Sequence, residues 1–515
     1  MEKTTNPTIL VNPPLCQEDY LGRLTEFILK VSPHGYHGPN HIPSSYYVPV
    51  SYWQNEHSVH PELRNTKIAY YQRLIVHYGL NLYCGACRQL ALLPTALPAA
   101  QEAIDVHTRL LLNGSVGDTA SIRAWSDEGG QWQYGDNETL FNRQEGGAYF
   151  FGAISAQYYL RDPLSGQAHF PAELGGAKLE WAFYDPFLGE NTWAALIAPL
   201  QVHFNKLVAA ETPTATPTIE LQLALSIIPA LKAMQSSVGG VYARPAPFGQ
   251  PMERLISNET NLTLYAGLCM LHQLIPDSAA APIIDELING LRSYFRTYLF
   301  GRQNGKLRIH TCGAFVEGAF RPGMAANGEA ARFAVDVHTW GMSILGVDEI
   351  DTQHGAGTCF ALWQELKWHA GYYVPEQPGV IQGVGYSSSS MGMPIHDTCS
   401  PEWTFGAINM CRILAAEYGT PGRHFAPGLA RQLREDERSM LRGVSMFGSA
   451  SALGPACRSY PYVNKWCDTG FGWHAFPVES LCATAWAVMV QHGFNPFCLG
   501  GAYFSTANNP IQSAL

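Results

Sequence analysis

Five stretches of the sequence open on an acid and then run through aromatics and small residues. They are "EGGAYFFGAIS" from Glu145, "ETNLTLYAGLCML" from Glu259, "DVHTWGMSILG" from Asp336, "EWTFGAINMCRIL" from Glu402 and "ESLCATAWAVMV" from Glu479. A first-turn acid has an ordinary use, because the free amides and the helix dipole stabilise its charge by about 0.3–1 kcal/mol. Charge is scarce in this chain, however, at 14% of residues against roughly 25% in soluble domains. Placing it on the least polar helices therefore suggests chemistry. A lone first-turn carboxylate is favoured in its ionised form and suits a base or a hydrogen-bond acceptor. Several carboxyls crowded together raise one another's pKa and so provide a proton donor as well. Paired carboxyls across an aromatic-walled pocket are the equipment of glycosidic bond cleavage.

Competing chemistries find little support. The sequence has no G-x-S-x-G elbow and no H-E-x-x-H, and "GVGY" lacks the spacing of a dinucleotide loop. His338, His396 and His474 read as hydrogen-bonding residues, and no metal or other cofactor is expected. The CxxC at Cys84 and Cys87 has no second CxxC, which argues against a four-cysteine zinc site. The twelve cysteines are spread evenly, several within small-residue helices. Free thiols are expected.

The acids need elements to hold them. Helical patterns run at about residues 18–31, 64–92, 98–112, 145–161, 190–208, 218–236, 257–275, 281–299, 329–345, 357–370, 401–418, 427–443 and 477–492, with a hairpin expected within 121–136. In the second half, amphipathic helices such as "PGLARQLREDERSMLRG" alternate with small, nearly uncharged ones. Inner helices wrapped by half-exposed ones predict an all-α toroid, an (α/α)6 ring with minor β-hairpins in its loops. One domain is expected over residues 1–515, with residues 1–60 packed onto the ring. The inner N-termini would gather around one pocket. Two loops, "GVGYSSSSMGMPIHDTCSPEW" and "SYPYVNKWCDTGFGWHAFPVE", would wall it.

A net charge of −10 with scattered Lys and Arg argues against a nucleic-acid partner. No apolar run reaches a membrane span. The N-terminal stretch lacks signal-peptide regions, so the expected location is the cytoplasm or the outside of the cell as a mature form.

"SNETNLTLYAGLCML" resembles the "ENN-x-x-x-YAAL" helix of six-hairpin (α/α)6-toroid carbohydrate-active proteins. "DVHTWGMSILG" is similar to their "D-x-QTW" helix, and "GVGYSSSS…SPEWTFGAINMCRIL" to their "GxGY…EWT-x-GAI" segment. The resemblance covers about residues 240–495. It departs from the pattern at His338, where Gln is common, and at Thr260, which replaces a polar amide. The group includes inverting glycoside hydrolases, β-1,2-glucanases among them, with polysaccharide lyases and sugar epimerases. The resemblance implies a glycoside hydrolase-like enzyme acting on an oligosaccharide or glycan. Glu259 would protonate the leaving oxygen, and Asp468 or Asp336 would activate water. Glu402 is a further candidate base or sugar ligand. Glu145, Tyr386, His396, His474 and Glu479 are candidate substrate-binding groups. Trp340, Trp403, Trp466 and Trp473 would stack on sugar faces. Two alternatives remain open: an epimerase, lyase or isomerase that moves protons with Tyr386, His396, His474 and the acids, and a glycan-binding protein without turnover.

Overall fold

The computed structural model describes residues 17–31, 45–47, 77–78, 82–95, 98–113, 115–116, 120–121, 123–126, 132–133, 149–151, 155–157, 180–183, 187–209, 217–244, 255–389, 391–471 and 474–508. Among these, helices dominate. α1 spans Gln17–Lys30, α2 Leu82–Leu92 and α3 Pro98–Asn113. α4 runs as Leu188–Thr192, a π-helical stretch Trp193–Ile197 and Ala198–Ala209. α5 (Ile219–Ser226), α6 (Ile228–Ala233), α7 (Asn258–Leu274) and α8 (Ala281–Tyr294) follow. The series ends with α9 (Val335–His354), α10 (Thr358–Ala370), α11 (Pro401–Gly419), α12 (Pro427–Ser445) and α13 (Leu481–Gln491).

Six of these helices close a ring among the described residues. α2 packs on α4, α4 on α7, α7 on α9, α9 on α11, α11 on α13, and α13 back on α2. Each also meets a partner outside the ring. α3 packs on α2, α5 on α4, α8 on α7, α10 on α9, α12 on α11, and α1 on α13. This is the (α/α)6 toroid expected from the sequence.

Packing explains the two helix compositions. In α13 nearly every residue is buried, and in α11 no residue is exposed, so small residues and single aromatics let neighbouring backbones approach. α12 buries only the stripe Ala430, Leu433, Ser439, Met440, Gly443 and Val444, and its other face carries the charge. α1 is tied to the ring by Arg88 on α2, whose Nε and Nη2 donate to the carbonyls of Ile28 (3.1 Å) and Leu29 (3.0 Å). These bonds satisfy the end of α1, where the last carbonyls lack helical partners.

Strands are confined to small antiparallel sheets. The hairpin expected within 121–136 is present, with Arg123–Ser126 paired to Trp132–Gln133. One helix expected from the sequence is not, and another is described only in part. Within 145–161 the structure has strands Tyr149–Phe151 and Ser155–Gln157. Gly146, Gly147 and Gly152 disfavour a helix there, and Tyr149, Phe150 and Phe151 favour a strand. In the 64–92 stretch only Leu82–Leu92 is helical among the described residues, and His77–Tyr78 pairs with Ser155–Gln157. The inner helices α9 and α13 also begin later than their sequence patterns, at Val335 and Leu481.

None of the eleven described cysteines is in a disulfide, and ten are buried. Among them Cys84 and Cys482 pair at 3.0 Å between sulfurs across the α2–α13 seam, and Cys87 also reaches Cys482. Thiol titration of denatured, unreduced protein is therefore expected to find at least ten of the twelve reactive, since these three thiols can form only one bridge. Five or six bridges would contradict this arrangement.

Candidate functional site

The N-termini of α4, α7, α9 and α11 each carry an acid in the first turn: Glu190, Glu259, Asp336 and Glu402. Their carboxyls act on one another. The charges of Asp336 and Glu190 both raise the pKa of Glu259, and the charge of Asp336 raises that of Glu402. Four successive inner helices thus deliver their acids to one site.

Local sequence explains the approach. Gly189, just before Glu190, lies against Thr260. A Cβ at Gly189 would sit 2.9 Å from Thr260 Cγ2 and 3.9 Å from Glu259 Oε2. Only a residue without a side chain lets the start of α4 close on the start of α7. The turn that follows Glu190 widens into the π-helical stretch Trp193–Ile197, which adds a residue to the helical turn and re-aims Trp193 inward.

The environments of the four acids differ. Glu402 is 6% exposed, while Glu190, Glu259 and Asp336 keep partial access to solvent. Burial, with the Asp336 and Glu190 carboxylates added, holds Glu259 well above the ordinary carboxylate range. Burial also pushes Asp336 up to about 7, although its Oδ1 accepts the amide of Val337 at 2.7 Å. Glu402 is likewise pushed up to about 7, chiefly by burial. The Tyr83 hydroxyl, which donates to its Oε1 at 2.8 Å, opposes that shift. Burial raises Glu190 as well. No hydrogen bond to the Glu259 carboxyl forms within the described residues, so this acid is not capping its helix.

Aromatics floor the site. Trp486 Nε1 donates to Tyr83 Oη at 3.0 Å, which orients the hydroxyl that holds Glu402. Trp340 stacks on Trp486 (6.1 Å between centroids, 19°), and Trp193 meets Trp340 edge-on at 5.2 Å. Phe497 closes the cluster against Trp193 at 5.6 Å. Trp340 is 7% exposed, so it belongs to this floor rather than to an open stacking face.

Of the other sequence candidates, Tyr386 lies near enough to Glu402 for that carboxylate's charge to add to burial in raising its pKa. Asp468 is exposed in the short strand Cys467–Asp468, paired with His474, and its Oδ1 accepts the Gly470 amide at 2.8 Å. Glu479 precedes α13 in the strand Glu479–Ser480. It takes hydrogen bonds from the hydroxyls of Ser451 and Ser459 and from the Ala452 amide (2.9 Å). It latches two loops and does not join the acids. Tyr386 is buried, with its hydroxyl on the Tyr462 carbonyl at 3.0 Å. His396 is exposed, with Nδ1 on the Gly371 carbonyl at 2.7 Å. Trp403 is half-buried and edge-on to Tyr386 at 4.7 Å, and Trp466 is half-buried. His474 stands in the strand His474–Ala475. Glu145 and Trp473 lie outside the described residues.

His338 turns away from the acids. Its Nδ1 meets the Ala334 carbonyl at 2.7 Å, its Nε2 accepts the Ile309 amide at 3.2 Å, and its ring stacks on Phe333 at 4.3 Å. Sequence reading missed Glu190, Tyr83 and Trp486. Glu190 had a usable signal, because "GENTWAALI" is again an acid followed by Trp and small residues. Among the described residues no group of three or more His, Cys, Asp or Glu is arranged to hold a metal ion. Nor is any helix there long and apolar enough to cross a membrane.

No protein-family model matches the chain, and no curated protein does. Several solved structures are similar in shape. The GH76A α-1,6-mannanase of Salegentibacter sp. HEL1_6 is 12% identical with a TM-score of 0.42, covering 80% of this chain and 89% of that one. An unsaturated glucuronyl hydrolase from Streptococcus agalactiae is 10% identical with a TM-score of 0.39, covering 59% and 69%. A D-mannose isomerase is 8% identical with a TM-score of 0.39, covering 65% and 78%. Likeness at this level does not extend to substrate or reaction, and the ring of helices described above rests on this chain's own packing.

Proposed function

We propose that the protein is a carbohydrate-active enzyme of the glycoside hydrolase kind, working on an oligosaccharide or glycan through paired carboxyls. The observation that carries this reading is the meeting of Glu190, Glu259, Asp336 and Glu402 at one end of the ring, with Asp336 and Glu402 both held at about 7. Structural carboxylates are normally kept ionised by cations, yet none of these four has a Lys, Arg or His within salt-bridge distance among the described residues. A set of acids kept partly protonated near neutral pH can both give and take a proton.

Roles follow from the environments. Glu259, held well above the ordinary carboxylate range and accepting no side-chain hydrogen bond among the described residues, donates to the leaving oxygen. Asp336 is the base, since the Val337 amide favours its charged form. Glu402, fixed by Tyr83, holds the sugar and sets the charge on Asp336. Because these groups interact, their apparent pKa values belong to the set. Inversion is the favoured outcome, and it requires acid and base about 6.5–9.5 Å apart with water between them.

The test is a panel of defined glycans incubated in ¹⁸O-labelled water. New reducing ends carrying one heavy oxygen are expected, with the anomer of the fresh product reporting inversion. A mass-neutral change of the sugar without label would instead point to isomerisation. Saturable binding with no product from any glycan would mean a binding protein.

A further inference from the structure

A second cleft, of about 310 Å³, opens beside the starts of α7 and α9. Its lining includes Arg302, Arg308, His310, Thr311, Arg332 and Ser388, and no acidic residue lines it among the described residues. The same segments lead into the helices that carry the acids. The Thr311 carbonyl accepts the Asn258 amide at 3.0 Å, directly before Glu259, and Arg332 precedes Asp336 by four positions.

The charge here runs against that of the chain as a whole. Four cations gather around the cleft: Arg302, Arg308, Arg332 and the neighbouring Lys306. The one carboxylate paired with them among the described residues is Glu365, which takes Lys306 at 2.5 Å and Arg308 at 3.2 Å. Arg302 and Arg332 have no ion-pair partner among the described residues, and Arg302 is tied only to the Gly305 carbonyl at 2.9 Å. Among the described residues three positive charges thus remain uncompensated, in a protein of net charge −10. Arg308 is fixed further by Gln303 and His369, and its buried Nε has no partner.

His310 is built into the same wall. Its ring slots between Gly301 and Gly323, and a Cβ at either position would strike it. Gly323 also has φ +72, which a side chain rarely adopts. The imidazole makes no side-chain hydrogen bond within the described residues while lining the cleft. Planar guanidinium forks beside a hydroxyl and an imidazole are suited to oxyanions.

We propose that this cleft seats an anionic substituent of the substrate, a carboxylate, sulfate or phosphate carried on the sugar chain whose linkage faces the acids. This assignment rests on the enzyme reading given above and names its substrate class. An anionic sugar placed directly among Glu190, Glu259, Asp336 and Glu402 would be repelled. A cationic cleft beside them lets the charged unit dock while a neighbouring linkage meets the carboxyls.

The test measures binding by calorimetry in the Glu259→Gln background, so that cleavage does not intrude. The probes are neutral gluco- and manno-oligosaccharides, uronate-containing and sulfated oligosaccharides of equal length, and inorganic sulfate and phosphate. At least one charged oligosaccharide should bind tenfold or more tighter than its neutral counterpart, and the advantage should shrink between 20 and 200 mM salt. Arg332→Gln with Arg302→Gln should abolish that preference without moving the thermal midpoint, since both side chains are exposed. Arg332→Gln alone should reduce it. Equal affinity for charged and neutral sugars, a preference that survives the double substitution, or no binding of any charged probe would overturn the assignment. Inorganic anions binding as tightly as the charged sugars would make this a free-anion site and overturn it too. Turnover by the unsubstituted protein is read separately. Charged-sugar binding lost with the arginines but never followed by reaction would sink the enzyme reading and leave the cleft standing.

Discussion

Glu259→Gln is expected to cut turnover by about 10²–10⁴-fold, the usual contribution of a positioned general acid, while leaving substrate affinity nearly intact and the protein at least as stable. Burial and the Asp336 and Glu190 charges hold Glu259 well above the ordinary carboxylate range and favour its protonated form, so glutamine copies the shape, neutrality and hydrogen-bonding capacity of that form. Glutamine lacks only the transferable proton. The opposite outcome has a definite physical meaning. If Glu259 served as a helix cap, replacing it would cost about 1 kcal/mol of stability and little activity. The structure already weighs against that, since no amide donates to its carboxyl among the described residues. The measurement is kcat, KM and thermal midpoint side by side on the glycan found by the panel. Full activity with lowered stability would remove Glu259 from the site. Asp468→Asn is the matched control, because substitution of an exposed residue at a strand end, bonded to the Gly470 amide, should change neither property appreciably.

The ring was legible in the sequence because burial is written in composition. Helices enclosed on all sides must be small and uncharged, and "EWTFGAINMCRIL" and "ESLCATAWAVMV" have that character, whereas α12 shows its charged stripe openly. The same logic failed at 145–161, where small and aromatic residues also suit a short strand and the glycines tip the balance. The acids were partly legible. Glu259, Asp336 and Glu402 share a position at the start of a helix, and that position alone brings them together. Glu479 misled because two residues of strand precede α13, enough to send its carboxyl to Ser451 and Ser459 instead of the ring's centre. Asp468 was a candidate through the resemblance, and it stands instead in the short strand Cys467–Asp468 with its side chain exposed. Glu190 was missed because the glycine that lets it in, Gly189, acts through contact with Thr260, 71 positions away (260 − 189).

Glu402→Gln should stabilise the protein, and by more as pH rises. Burial holds the Glu402 carboxyl at about 7 against an ordinary value of 4.5. The folded state therefore binds this proton more tightly than the unfolded one. Its contribution to stability is complete below pH 4.5 and is lost as pH climbs toward 7, where the buried group must ionise. At 1.36 kcal/mol per unit, the burden above pH 7 reaches about 3 kcal/mol, which glutamine removes while its Oε1 still accepts from Tyr83. The profile of the unsubstituted protein alone would not reveal this. His338 and His369 are both pushed down to about 4, chiefly by burial. As pH falls from 6.5 toward 4, these two groups destabilise the fold over nearly the interval in which protonating Glu402 favours it. The two trends oppose each other, so the diagnostic quantity is the difference between Glu402→Gln and the unsubstituted protein. That difference in thermal midpoint should be near zero at pH 4.5 and grow to several degrees by pH 8. A difference that stays flat across this range would mean that Glu402 is not held neutral. A stabilised variant with lost turnover would show that the buried carboxyl costs the fold stability and serves the reaction.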